Sequence, residues 1–259
     1  METKYLLHSL DRIKDVLKER RLSIFLDYDG TITPLAGAPE DTVTTLSTAN
    51  LLKKLATLFP LSIVSGRRLF DLMDVVGIKG ITYAGNHGFE IWHEDFTAVF
   101  DTGKRAVKEL RLLKEKFSRI SLEYPGTDVE DKGLTVTVHY RPLDIKKIRP
   151  FREAIRVAAE DQVSSGIIRL RNSKMAIEVQ PNVDWDKGRA VLWIMERKGF
   201  RGTYPIYLGD DQTDKDGCRA VKGIGLSAFV GGILKEADYY LKNQGEVRLF
   251  LEWLIDIKS

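Results

Sequence analysis

The sequence predicts an α/β fold, a Rossmann-like parallel sheet interrupted by an α+β insertion, and two observations carry that prediction. Short apolar runs that break off in polar or glycine-rich residues alternate with helix-like stretches, as in a parallel sheet covered by helices. From Asp101 to Pro181 the pattern changes to paired alternating segments joined by short turns, and then changes back. The expected domains are residues 1–100 together with 182–259, and the insertion 101–181.

Taken in order, Leu6, Leu7, Leu10, Ile13, Val16 and Leu17 fall at helical spacing and predict an amphipathic helix over Tyr5 to Arg20. Leu22 to Leu26 is too short for a helix and stops at Asp27-Tyr28-Asp29-Gly30. The same arrangement recurs where Leu61 to Val64 meets Ser65-Gly66-Arg67 and where Ile81 to Ala84 meets Gly85-Asn86-His87-Gly88. It recurs again where Tyr204 to Leu208 meets Gly209-Asp210-Asp211. Helices are expected over Val43 to Thr57, Arg68 to Val76 and Lys187 to Lys198. In the insertion, a helix from Gly103 to Phe117 precedes strands at Ile120 to Tyr124 and Leu134 to Tyr140. A second helix, Asp144 to Val163, precedes strands at Ile167 to Arg171 and Met175 to Val179. Parallel strands all point one way and ligands bind at their carboxyl ends, so the four polar strand ends converge on one crevice.

Composition narrows the function. Of 259 residues, 43% are hydrophobic and 30% charged, a balance that excludes disorder, collagen and coiled coil. Lys+Arg 40 against Asp+Glu 37 gives +3, spread along the chain with no basic block longer than Lys18-Glu19-Arg20-Arg21. A nucleic-acid partner is therefore not expected, whereas a small anion is. The single Cys218 cannot form an internal disulfide and reads as a buried structural thiol. His8, His87, His93 and His139 lack the spacing of a zinc site. No apolar run approaches the ~20 residues of a membrane span, and Met1 to Tyr5 does not open a signal peptide. A monomer in the cytoplasm, without a membrane partner, is the expectation.

The strand ends carry the chemistry. Alternate residues at an extended strand end point the same way, so Asp27 and Asp29 face one centre. Two carboxylates so close repel unless a cation or proton separates them, and Mg2+ suits an all-oxygen site. One carboxylate can attack a phosphorus atom while the other moves a proton to or from the leaving group. Alone, Asp-x-Asp-Gly is as readily a solvated turn. Ser65-Gly66-Arg67 offers a hydroxyl and, at a helix start, backbone N–H groups for phosphate oxygens. Lys187 offers a point charge for a transferring phosphoryl group, although most lysines are simply solvated. Asp210, Asp211 and Asp214 gather more negative charge than a surface turn, unless they cap a helix.

This order of motifs resembles the haloacid dehalogenase superfamily, and within it the trehalose-6-phosphate phosphatases. The segments that carry the resemblance are Asp27-Tyr28-Asp29-Gly30-Thr31-Ile32-Thr33-Pro34, Tyr83-Ala84-Gly85-Asn86-His87-Gly88 and Glu130-Asp131-Lys132-Gly133. Ala176-Ile177-Glu178-Val179 and Gly209-Asp210-Asp211-Gln212-Thr213-Asp214 complete it. The resemblance implies a haloacid-dehalogenase-like core with a cap inserted over the active site. Asp27 would be the nucleophile and Asp29 the general acid and base. Mg2+ would be held by Asp27, the main-chain carbonyl of Asp29, and Asp210, with Asp211 and Asp214 supporting. Ser65 and Lys187 would bind the phosphoryl oxygens, within the Ser65-Gly66-Arg67 phosphate loop. From the cap, Glu130, Lys132 and Glu178 would bind sugar hydroxyls, with Asn86 and His87 nearby. The implied substrate is a sugar phosphate, trehalose 6-phosphate, with a pathway link to a trehalose-6-phosphate synthase. A phosphatase for sucrose, glucosylglycerate or mannosylglycerate phosphate, a phosphomutase, and a non-catalytic sugar-phosphate sensor are the alternatives. Two segments depart from the family pattern: Lys215-Asp216-Gly217 stands where Glu-Asp-Ala is common, and Gln180 stands where an arginine precedes Pro181.

Overall fold

The computed structural model describes residues 3–34, 44–173 and 175–258. The chain forms two compact units: Met1–Val99 with Trp185–Ser259, and Phe100–Asp184.

The first unit begins with β1 (Lys4–Tyr5), α1 (Leu10–Glu19), β2 (Leu22–Leu26), α2 (Leu46–Leu58), β3 (Leu61–Val64) and α3 (Leu69–Val76). It continues with β4 (Thr82–Gly85), β5 (Glu90–His93) and β6 (Phe96–Val99). The second unit holds α4 (Lys104–Leu122), β7 (Asp128–Asp131), β8 (Val136–His139), α5 (Ile145–Ala158), α6 (Glu160–Ser164), β9 (Ile168–Ser173) and β10 (Ala176–Pro181). The chain then returns to the first unit with α7 (Lys187–Met195), β11 (Tyr204–Gly209), α8 (Asp214–Val221), β12 (Leu226–Val230), β13 (Tyr239–Leu241) and α9 (Gln244–Lys258).

Among the described residues, the first unit's sheet has the order β1-β13-β12-β11-β2-β3-β4-β5-β6. Every pairing from β1 to β4 is parallel, and β5 and β6 add an antiparallel hairpin at one edge. All residues of β2, β3 and β4 are buried, which is why these strands read as mostly apolar runs with no charged residue. The four strands that end in polar residues are neighbours in the order β11-β2-β3-β4, so their carboxyl ends lie side by side.

The second unit is an antiparallel sheet of order β7-β8-β10-β9. One face packs on α4 and α5 through Leu110, Leu113, Phe117, Phe151, Ile155, Val136, Val138, Ile177 and Val179. The alternate residues form a polar face, with Glu130, Thr137, Glu178 and Arg171 in one cross-strand row.

Several elements differ from the sequence expectation. Ile120 to Leu122 is not a strand but the last turn of α4, and the strand lies at Asp128–Asp131. Ile120 and Tyr124 continue the helical spacing set by Leu113 and Phe117 and pack on the same core, and this tertiary burial overrides the local alternation. The helix expected over Asp144 to Val163 divides at Ala159, and α7 stops at Met195 rather than Lys198. The opening helix begins only at Leu10, because Lys4 and Tyr5 pair in parallel with Tyr239 and Tyr240. Val43, the expected start of α2, lies outside the described residues.

Candidate active site

The nucleophile candidate follows directly from the central strand. Asp27 extends the β2 ladder by donating its N–H to the Leu208 carbonyl at 2.8 Å, and the residue is 5% exposed. The next residues form a tight turn: the Thr33 carbonyl accepts from the Gly30 N–H at 2.8 Å, and the Thr33 hydroxyl donates to the Tyr28 carbonyl at 3.0 Å. From α9, the Gln244 side-chain amide donates to the Gly30 carbonyl at 2.6 Å and ties the turn down. Gly30 has φ +86°, and a Cβ there would stand 2.1 Å from Asp210 Oδ2. Glycine is thus required both by its backbone conformation and by the approach of Asp210 from β11.

Around Asp27 the charges interlock. Lys187, the first residue of α7, donates from Nζ to Asp27 Oδ1 at 2.6 Å and to Asp214 Oδ1 at 2.8 Å. Burial opposes the charge on Lys187, but Asp214 and Asp27 outweigh it and raise its pKa well above that of a free lysine. Burial pushes the Asp27 carboxyl up, Asp214 and Asp210 add to that, and Lys187 opposes it. The Thr31 hydroxyl lies 3.2 Å from Asp27 Oδ2 and 3.3 Å from Asp210 Oδ1, donating toward the pair.

Asp214 is fully buried and accepts four hydrogen bonds. Oδ1 takes Lys187 Nζ and the Tyr207 hydroxyl at 2.6 Å; Oδ2 takes the N–H groups of Asp210 at 3.1 Å and Asp211 at 2.9 Å. Its lone pairs are therefore committed to shaping the loop and holding Lys187. Gly217 makes room for this arrangement, since a Cβ there would fall 2.2 Å from Cζ of the Tyr207 ring. Gly217 is thus required by the close approach of the Tyr207 ring.

The donor set fits a hard divalent cation. Asp27, Asp210 and Asp214 each bring a carboxylate oxygen within 4.8 Å of the others, all three side chains are buried, and the ammonium among them is Lys187. Three carboxylates to one ammonium make a net negative oxygen cluster, which a cation such as Mg2+ would balance. With the Asp214 oxygens occupied by N–H and O–H donors, Asp27 and Asp210 are the carboxylates suited to touch it.

The neighbouring strand ends build a second loop. Ser65, 1% exposed at the end of β3, accepts the Arg67 N–H on its hydroxyl at 3.1 Å. Asn86 and His87, at φ +49° and +58°, turn the chain after β4 so that their N–H groups reach the carbonyls of Arg67 and Ser65 at 2.6 and 2.9 Å. The Asn86 side chain also donates to Glu90. Arg67, expected within the phosphate loop, directs its guanidinium to Asp29: Nε lies 2.7 Å from Oδ2 and Nη2 lies 2.6 Å from Oδ1.

In the second unit, the polar sheet face assembles the three sugar-binding candidates. Lys132 Nζ lies 3.6 Å from Glu130 and 3.7 Å from Glu178. His139 Nε2 is 2.9 Å from Glu130 Oε2, and the Thr137 hydroxyl donates to Glu178 at 3.0 Å. Gln180 follows on β10 and is buried.

Sequence reasoning did not find Tyr207, Gln244, His139 or Thr137 as supports. Tyr207 reads as an apolar strand residue, and Gln244 is distant in sequence from the turn it holds. Cys218 is buried, and its burial raises the thiol pKa well above normal, so it is inert.

A sequence profile described as trehalose-phosphatase matches residues 25–233. The chain is 30% identical over 281 residues to "Probable trehalose-phosphate phosphatase 2" of Oryza sativa subsp. japonica, covering 98% of this chain and 73% of that one. It is 33% identical over 222 residues to the trehalose-phosphate phosphatase of Mycobacterium bovis, covering 84% of this chain and 56% of that one. Its fold matches the C-terminal domain of the Candida albicans trehalose-6-phosphate phosphatase with a TM-score of 0.83 at 21% identity, covering 99% of this chain and 98% of that one. A haloacid dehalogenase-like hydrolase from Bacteroides thetaiotaomicron matches with a TM-score of 0.60. With its haloacid-dehalogenase-like fold and its match along most of its length, the chain belongs to the trehalose-phosphatase family of phosphoric monoester hydrolases.

Proposed function

We propose that the protein is a Mg2+-dependent phosphatase that hydrolyses trehalose 6-phosphate to trehalose and phosphate, the final step of trehalose biosynthesis, through an aspartyl-phosphate on Asp27. The observation that carries this reading is the buried Asp27–Lys187–Asp214 chain beside Asp210 at adjoining strand ends. Lys187 holds Asp27 Oδ1 in place and leaves Oδ2 as the attacking atom, which is oriented by Thr31. Asp27 forms a bond to phosphorus as the bond from phosphorus to the sugar oxygen breaks, and Asp29 gives that oxygen its proton. Asp29 then takes a proton from water, whose oxygen attacks the phosphoryl group and frees Asp27. The Ser65 hydroxyl and the Gly66 N–H, together with Lys187, receive the phosphoryl oxygens. Mg2+, held by Asp27, Asp210 and the main-chain carbonyl of Asp29, would offset phosphoryl charge when bound.

The polar face of the second unit is the proposed sugar reader, in which Glu130 and Glu178 accept from hydroxyls and Lys132 donates. The names of the rice and mycobacterial relatives support trehalose 6-phosphate as substrate. Phosphate release is the test, measured on trehalose, sucrose, glucosylglycerate and mannosylglycerate phosphates with Mg2+ or with EDTA. The highest kcat/KM is expected on trehalose 6-phosphate, with activity lost in EDTA. Preference for another sugar phosphate would remove the substrate and leave the mechanism, and full activity in EDTA would remove the metal.

A further inference from the structure

We propose that Arg67 is a positioning residue for Asp29: it aims the proton-transfer carboxylate rather than serving as a phosphate ligand. This rests on the reading of Asp29 as the general acid and base. The fork is two-pointed, with contacts of 2.7 and 2.6 Å from Nε and Nη2 to the two oxygens of Asp29, and it joins residues 38 apart in sequence. Asp29 sits on a turn with its side chain 30% exposed, where a carboxylate would otherwise sample several rotamers. A planar guanidinium gripping both oxygens fixes the plane of the carboxylate as well as its position.

Arg67 is itself held from three sides. Its backbone is fastened at both ends, with its N–H on the Ser65 hydroxyl at 3.1 Å and its carbonyl accepting from Asn86 at 2.6 Å. Its guanidinium lies over the Tyr28 ring at 5.4 Å from the centroid. That ring is anchored in turn, because the Tyr28 hydroxyl meets the Thr44 hydroxyl at 2.7 Å, and Thr44 donates to the Val75 carbonyl at 2.6 Å. The two left-handed residues after β4 therefore have a purpose beyond the phosphate loop: Asn86 holds the carbonyl of Arg67, and His87 holds that of Ser65, whose hydroxyl accepts the Arg67 N–H. Two donors of the guanidinium, from Nε and Nη2, are directed to Asp29.

The test compares kcat and KM, in Mg2+, on trehalose 6-phosphate and on p-nitrophenyl phosphate, whose leaving group departs without a proton. Misaiming a reacting group by ~1 Å costs on the order of 10²-fold. Arg67→Met should therefore lower kcat on the sugar phosphate at least ~10-fold more than on the aryl phosphate, with KM for the two substrates moving together by less than ~3-fold. Arg67→Lys, which restores the charge at one point only, should fall between the wild type and Arg67→Met. In an Asp29→Asn background, Arg67→Met should add less than ~2-fold, because both changes remove the same function. A KM rise of ~10-fold on both substrates with kcat retained would make Arg67 a phosphate ligand and overturn the proposal. Equal kcat losses on both substrates in Arg67→Lys would overturn it too, and that variant decides the matter if Arg67→Met does not fold. Should trehalose 6-phosphate prove not to be hydrolysed, the same ratio is read on whichever alkyl phosphate the enzyme accepts, so the substrate and the role of Arg67 are judged separately.

Discussion

Asp214→Asn is the sharpest test of how the site is held together. The carboxylate accepts Lys187 Nζ and the Tyr207 hydroxyl on one oxygen, and the N–H groups of Asp210 and Asp211 on the other. An asparagine has one acceptor and one donor where the site supplies donors on both sides. With its NH2 toward the loop, two buried peptide N–H groups lose their acceptor. With its NH2 toward Lys187, a donor faces an ammonium and a phenol. Either orientation breaks a buried ion pair, a loss of ~3–5 kcal/mol when one partner is removed, and the lower end applies because Lys187 keeps Asp27. At ~2–4 °C per kcal/mol for a unit of this size, the unfolding midpoint should fall by ~6–12 °C in Mg2+. In EDTA the fall should be smaller, because the substitution also removes one of three carboxylates that repel one another within 4.8 Å. Tyr207→Phe, which deletes a single donor, should cost only ~1 kcal/mol. Thermal unfolding of the three proteins in Mg2+ and in EDTA measures this. A midpoint for Asp214→Asn within ~2 °C of wild type in both conditions would refute the four-donor account.

Four further outcomes follow from the same geometry. Asp27→Asn should lower turnover by ~10³-fold or more, as for other nucleophiles that act within a unit, and near-normal turnover would exclude a covalent intermediate. EDTA should abolish activity and Mg2+ restore it, whereas Ca2+ should fail to restore it because its longer, looser coordination misplaces oxygen ligands; equal rates in Ca2+ would contradict this. Glu130→Ala, Lys132→Ala and Glu178→Ala each remove a charged hydrogen-bonding group, worth ~1.5–3 kcal/mol, so kcat/KM on trehalose 6-phosphate should fall ~10- to 150-fold, with smaller losses on p-nitrophenyl phosphate; parallel losses on both would make these residues structural. Burial tends to raise the Glu130 pKa, but the His139 hydrogen bond and Lys132 hold it below the ordinary 4.5, so its stabilising contribution is complete above about that pH and lost as pH falls through the lowered value. His139→Ala should make the loss of unfolding free energy between pH 5 and 3 shallower, and identical pH slopes would count against the pair.

The parts of the site that could be read from the sequence are those that two adjacent signals mark together. Leu22 to Leu26 is buried throughout and stops at Asp27, and an apolar run ending in a carboxylate places that carboxylate at a strand end in a parallel sheet. Asp210 and Ser65 were legible by the same rule, at the ends of β11 and β3, whereas Lys187 was marked only by the start of a helix. The supports were not, because each depends on a contact made only in three dimensions. Tyr207 looks like any other residue of a buried strand until Gly217 brings it onto Asp214. Gln244 opens the last helix, 214 positions from the Gly30 carbonyl that it holds. Ile120 to Tyr124 misled for the opposite reason: its alternation is local, while the burial that decides its conformation comes from Phe151 and the sheet.

At Arg67 the folded chain adds a contact that residue type and neighbourhood do not give. In the sequence it follows Ser65 and Gly66, and a cation in a phosphate loop reads as a phosphate ligand. In the folded chain its guanidinium meets Asp29 on the adjacent strand end, at a distance that leaves no room for a water between them. A cation within a site that already holds several carboxylates is divided among them by geometry, and the division assigns the roles. Lys187 goes to Asp27 and Asp214, where it holds Oδ1 of each carboxylate. Arg67 goes to Asp29, where its planar fork sets direction as well as charge. Exchanging the two residue types would preserve the charge of the site but lose the planar fork on Asp29, because a lysine meets a carboxylate as a point charge.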